Sequence, residues 1–316
     1  MAMIRALNPT LYTPLYDKCF WEGYNDANLR TPALDATFTK MTDDSKQVDI
    51  TALSDTLRLE EFAEMAPVPS DELKEIYQKT FLHKEYGRGI NVSFNAVKDE
   101  EGHAFLKQQA AFRKLGIIAR QSIEYNLEQV FANVATLLSA DGVSILNDSH
   151  PIKNPKPGAP TTFDNLNGTL AFNADNLETL ENLINENSYN SRGEEIDILG
   201  QMRYLVHGPA LANRVAQVIG ANATYYLPDS SDRNINPFAG RYQSINFPYL
   251  RGSAKYYWFL VGMNVADLGL AYIVRENPVT SMWVDNNLRS YKYEVTTRYS
   301  YGCYDPRAIW GSLATI

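Results

Sequence analysis

One stretch of this chain limits the folds open to it. Phe105, Phe112, Leu115, Ala119, Ile123, Leu127, Val130, Val134 and Leu137 all fall inside an arc of about 120° at about 100° per residue. A single helix over residues 103–138 carries them all. It would be about 50 Å long at a rise of about 1.5 Å per residue, against a usual helix of about 11 to 12 residues. The stripe reads as the buried face of a long core helix. Gly116 lies on that face, so the spacing predicts a bend or a close backbone contact there.

The remaining sequence has to supply what such a helix packs against. Its 316 residues are 45% hydrophobic and 21% charged, with 18 Gly and 15 Pro, which excludes disorder, collagen and coiled-coil rods. The length suits roughly two domains. Cys19 and Cys303 form no CxxC pair, so neither a zinc knuckle nor a disulfide framework is encoded, and a reducing compartment fits. The N-terminal MAMIRALNPTLYTPLYDK has no signal-peptide core. The longest apolar run, Tyr256 to Met263, has eight residues where a bilayer span needs about 20, and it reads as a buried strand.

Residues 1–37 carry Pro9, Pro14 and Pro32 without sustained periodicity and read as an irregular arm with short helical turns at most. Two strand-like runs follow, Val48 to Leu53 and Ile90 to Val97. The polar excursion between them contains APVPS and a predicted short helix, Asp71 to Tyr86, with Ser70 as N-cap and Gly87 as terminator. Compact domains rarely keep loops beyond about 15 residues unless something uses them. Further on, the patterns predict a loop over Lys153–Pro160, a helix over Ala174–Glu186, and a helix begun by Pro209 and ended by Gly220. Strands are predicted at Met202–His207, Ser244–Phe247 and Tyr256–Val261. The chain closes on an amphipathic strand whose Tyr291, Tyr293, Val295, Thr297, Tyr299, Tyr301 and Cys303 share one face.

The net charge of −8 disfavours nucleic acid as the main ligand. Its distribution is uneven. Residues 41–101 hold fourteen acids against seven bases, whereas residues 102–123 hold no acid and four bases, Lys107, Arg113, Lys114 and Arg120. An acidic segment therefore abuts a basic one. Either both are solvated faces, or they are complementary patches that meet between copies of the chain.

Signs of catalysis are sparse. Asp148, Ser149 and His150 have the residue types of a hydrolase triad, but a triad converges from separate parts of a fold. There is no GxSxG elbow and no GxxxxGK[ST] loop, and Gly87-Arg88-Gly89 lacks a third glycine. His83, His103, His150 and His207 show no metal-binding spacing. No cofactor and no metal are expected, and a structural role fits better than an enzyme. The competing classes are a cytosolic hydrolase using His150 and a monomeric binding module with a Tyr-lined groove.

Order and motif then converge on a family. The relevant stretches are EEFAEMAPVP (Glu60–Pro69), INVSFNAV, the long helix, and DGVSILNDSHP (Asp141–Pro151). They continue with TFDNLNGTLAFNADNLETLENLI (Thr162–Ile184), YLVHGPALANRVAQVIGA (Tyr204–Ala221) and the ending VDNNLRSYKYEVTTRYSYGCYDPRAIWGS. Over nearly its whole length the chain resembles phage major capsid proteins of the HK97 fold, most closely the Mu-like major head subunits. The resemblance implies an α+β fold in five parts: an N-terminal arm (1–37), an extended E-loop hairpin (38–101), the spine helix with the first part of a P-domain (102–195), an A-domain (196–285), and a P-domain terminal strand and tail (286–316).

It also implies self-assembly into pentamers and hexamers of an icosahedral shell around double-stranded DNA, in a virion assembled in the bacterial host cytoplasm, with a portal and a separate scaffolding protein as partners. No room is expected for a cleaved N-terminal scaffold, and no Lys–Asn cross-link motif is matched. An encapsulin-type compartment is the alternative with the same fold. The E-loop is expected to lie across a neighbouring subunit, with Glu60, Glu61 or Glu64 approaching Lys107, Arg113, Lys114 or Arg120 of another copy.

Overall fold

The structure is a computed structural model that describes residues 9–65, 67–95, 103–220, 237–262 and 269–315, with the main chain only at 9–13 and 103–108. Expectations for Ala96 and Val97, for the side chains of Phe105 and Lys107, and for Met263 lie outside the described residues. Helix α1 (Pro9–Tyr24) crosses helix α2 (His103–Ala132), the long element foreseen from the apolar stripe.

Helix α1 corrects the reading of residues 1–37 as an irregular arm. Tyr16, Cys19 and Phe20 recur at helical spacing and bury against Phe112 and Leu115 of α2. Packing of this face sustains a helix whose sequence, with Pro14 inside it, would not hold one alone. Gly116 proves to be a close contact: a Cβ there would lie 2.1 Å from the carbonyl oxygen of Phe20, and one on Gly23 would lie 2.0 Å from that of Arg113. The helix α2 stops at Ala132, short of the expected 138. Asn133 turns its side-chain amide onto the carbonyl of Gln129 at 2.8 Å, and the chain leaves in turns that still bury Val134.

Four strands follow α1 in the chain: β1 (Thr39–Thr42), β2 (Gln47–Leu53), β3 (Glu75–Leu82) and β4 (Lys84–Ser93). The predicted helix over Asp71–Tyr86 is therefore wrong. Residues 71–74 are irregular, Gly87 sits mid-strand opposite Thr296, and Tyr77, Lys79 and Phe81 alternate inward opposite Ala52, Ile50 and Val48. Period-two burial overrides the helix-forming residues that flank it.

After α2 come the short pair β5 (His150–Pro151) and β6 (Thr162–Phe163), then helix α3 (Ala174–Asn187), capped by the Asn173 side chain on Asn176 N–H at 2.7 Å. Strand β7 (Met202–His207), helix α4 (Ala212–Ile219), β8 (Gln243–Asn246) and β9 (Trp258–Gly262) lie within a residue or two of their predicted spans, apart from α4, whose first turn after Pro209 is a 3-10 turn. The chain finishes with β10 (Leu270–Asp285), β11 (Ser290–Cys303) and β12 (Ile309–Ser312). The pattern analysis missed β10 because Pro278 interrupts it. The register with β11 slips between Val274 and Val279, so the proline falls at an irregularity that needs no ladder hydrogen bond.

Two four-stranded sheets result, ordered β1-β10-β11-β4 and β12-β9-β7-β8. The C-terminal half of α2 packs where they meet: Ile123, Leu127, Val130 and Phe131 share one core with Val206, Phe259, Tyr272 and Tyr299. A second core joins α3 and α4 to the other sheet around Trp258 and Trp310.

Candidate functional site

The long excursion after α1 divides into an anchored part and a projecting part. The β2–β3 hairpin is seated on its own chain: Phe81 is buried with Ala271, Ile273 and Tyr304, and the Tyr77 hydroxyl donates to the Pro151 carbonyl. Polar contacts extend the seat. The Asp55 and Ser191 pair exchange two hydrogen bonds at 2.6 and 2.8 Å, Arg58 N–H donates to Glu194 at 3.0 Å, and Arg307 lies 3.9 Å from Asp55. The hairpin strands thus cover their own body, which corrects the expectation that the whole hairpin reaches across a neighbour.

The connecting segment does project. Leu59 is fully exposed, and Phe62, Met65, Val68 and Leu73 stand out around Glu60, Glu61 and Glu64, which are exposed as well. A run of large apolar side chains held in water by a folded anchor marks an interaction surface.

The basic residues of α2 are distributed differently. Arg113 pairs with Asp26 at 3.0 Å, and Arg120 is held by the Thr31 hydroxyl at 2.9 Å and by Asp35 at 3.6 Å. Lys114 is exposed, and the side chain of Lys107 is outside the described residues. Among the described side chains, the structure brings none of Arg113, Lys114 and Arg120 to Glu60, Glu61 or Glu64 within one copy. It gives Arg113 and Arg120 partners between α1 and β1 instead.

Sequence reasoning overlooked a buried acidic pair on the same helix. Glu124 and Glu128, one turn apart, are both fully buried. Glu124 receives the N–H groups of Ala33 and Leu34 at 2.6 and 3.0 Å, and Glu128 receives that of Tyr249 at 2.6 Å. The pair ties the segment leading into β1 and the loop after β8 to the spine. Burial pushes the Glu128 carboxyl up to about 9, with the Tyr249 bond opposing and the charge of Glu124 adding to the rise, so it is neutral at pH 7. The signal was present: two like charges at i, i+4, a repulsive spacing, beside an apolar stripe.

His150 is buried, stacked on Phe163 at 4.9 Å, and hydrogen-bonded to Asp141 and Asn165. Neither ring nitrogen bonds a serine or threonine hydroxyl that could act as a nucleophile. Among the described residues no group of three His, Cys, Asp or Glu could hold a metal ion, and no helix is long and apolar enough to cross a membrane.

The architecture can be compared with known proteins. A family model described as phage capsid protein matches residues 77–312. The chain belongs to the phage capsid protein family. No curated protein matches the subunit by sequence. Among solved structures, the phage capsid chain is similar to the procapsid of bacteriophage JBD30, with 14% identity over 97% of this chain and 76% of that one and a TM-score of 0.53. It is similar to Microbacterium phage Oxtober96, with 12% identity over 92% and 94% of the two chains and a TM-score of 0.53. Mycobacterium phage Adephagia matches at 14% identity over 100% and 99%, with a TM-score of 0.52. At these identities the likeness is one of fold, and the capsid protein has the HK97-like α+β fold.

Proposed function

We propose that this phage capsid protein is the major head subunit, of the Mu-like kind, and that it assembles with itself into pentamers and hexamers of an icosahedral shell around double-stranded DNA. The parts follow the division at 1–37, 38–101, 102–195, 196–285 and 286–316. The subunit acts without cofactor and performs no catalysis; it is built in the host cytoplasm, with a portal and a separate scaffolding protein, and resides in the virion. The observation that carries this reading is the projecting segment between β2 and β3, whose Leu59 and Met65 are fully exposed and whose Phe62 and Val68 are half exposed or more among the described residues. Closure of a shell makes every subunit multivalent, so each such contact can be modest.

In this reading the apolar residues of the segment supply affinity. Glu60, Glu61 and Glu64 supply register against a basic face of the next copy, on which Lys114 is exposed. Negative-stain microscopy of the overexpressed protein tests the class: shells, tubes or rings are expected, with DNA rather than protein cargo in particles from infected cells. Reversing Glu60, Glu61 and Glu64 together to Lys is expected to abolish particles while the circular dichroism and thermal transition of the subunit stay unchanged. Normal shells from that variant would exclude the electrostatic part.

A further inference from the structure

His150 lies at the centre of a hydrogen-bond network whose polarity can be read atom by atom. The key is Asn165, fully buried, whose side-chain nitrogen faces three carbonyl oxygens: Ile145 at 2.8 Å and Pro306 and Ile309 at 3.1 Å each. Its Oδ1 accepts the N–H of Asn147 at 2.9 Å. Turning the amide over would set an oxygen against three oxygens and an NH2 against an N–H, so the orientation is fixed. That same Oδ1 lies 3.1 Å from His150 Nε2, which must therefore donate.

The other ring nitrogen meets the same demand. Nδ1 lies 2.6 Å from Asp141 Oδ2, while Asp141 Oδ1 accepts Val143 N–H at 3.0 Å and the Ser139 hydroxyl. Burial raises the Asp141 carboxyl, but the bonds from His150 and Ser139 outweigh it and hold the group below the ordinary range, as a carboxylate. Both faces of the imidazole edge are thus acceptors. A cation stacked nearly parallel on Phe163, at 17°, is also favoured by the ring's π face. The other titratable groups around the site are Asp148 just before β5, Asp164 just after β6, Tyr77 and Lys79 from the hairpin, and Cys303, Asp305 and Arg307 from the C-terminal segment.

We propose that His150 is a buried imidazolium, donating from both ring nitrogens, and that this charge ties the 141–151 segment through Asn165 to the chain at 306–309. A neutral ring would set a lone pair against an acceptor at one of the two contacts.

Asp141→Asn tests this without removing a contact. Its oxygen can keep Val143 and Ser139 while its NH2 donates to Nδ1, which leaves His150 neutral with its proton on Nε2. Nitrogen-15 NMR of the histidine-labelled full chain at pH 7 is expected to show two ring N–H groups for His150 in the wild type and one in the variant. A single ring N–H for His150 in the wild type overturns the proposal. Should Asp141→Asn fail to fold, the wild-type spectrum alone decides it.

Discussion

Adding a single methyl group at Gly116 is expected to unseat helix α1. An alanine inside a helix normally gains up to about 1 kcal/mol over glycine, so propensity alone favours the change. The crossing reverses the sign: the new Cβ would sit 2.1 Å from the Phe20 carbonyl oxygen and 2.8 Å from the Tyr24 nitrogen, both main-chain atoms that no rotamer change can move. Only a shift of one helix off the other relieves the clash, and that shift uncovers Tyr16, Cys19, Phe20, Phe112 and Leu115 together. A loss of about 3 kcal/mol or more, at or beyond the upper end for overpacked sites, is expected in denaturant unfolding, with new protease cleavage within residues 9–24. Gly23→Ala should behave alike, since its Cβ would meet the Arg113 carbonyl at 2.0 Å. The double variant should cost much less than the sum, because one displacement relieves both sites. Additive losses would show that the two glycines do not share a crossing.

The acidic pair on α2 gives the second large effect, and it is asymmetric. In Glu124→Gln one acceptor oxygen becomes an NH2 facing the N–H of Ala33 or Leu34, both now held at 2.6 to 3.0 Å. An unsatisfied buried donor costs about 1 to 3 kcal/mol, and here two donors face each other, so a loss near about 3 kcal/mol is expected. Glu128→Gln replaces a neutral carboxyl by a neutral amide that can still accept from Tyr249. It should cost little, and it should change the pH profile. The folded Glu128 holds its proton up to about 9, whereas the unfolded chain releases it near about 4.3. The wild type therefore binds the extra proton when folded, and its stability declines as pH rises through that window. Glu128→Gln lacks this decline and should be the more stable protein at pH 8. Equal costs for the two glutamines would remove the asymmetry on which the assignment rests.

What could be read beforehand follows the range of the forces involved. Elements whose burial repeats with one period over many residues were legible: the spine helix, the strand from Ser290 to Cys303, and helix Ala174–Asn187, which carries its own cap. Elements made by distant partners were not. Helix α1 owes its existence to α2, β3 to its pairing with β2, and β10 to neighbours that accommodate Pro278. The acidity of the excursion was also readable; that Leu59 and Met65 stand fully exposed was not. That Arg113 and Arg120 serve Asp26, Thr31 and Asp35 was not, because those acceptors reach α2 only through the turn after α1.

The order of strands in the long sheet also bears on when a subunit becomes whole. Strands β1 and β4, made early, lie at the two edges, and the two strands between them, β10 and β11, are synthesised far later; Ser93 pairs with Ser290. While translation continues the early strands therefore have no ladder to join, and closure of such remote pairs is slow. Completion is deferred until residues 270–303 have emerged from the ribosome, so nascent chains short of them lack the surface that a growing particle would recruit.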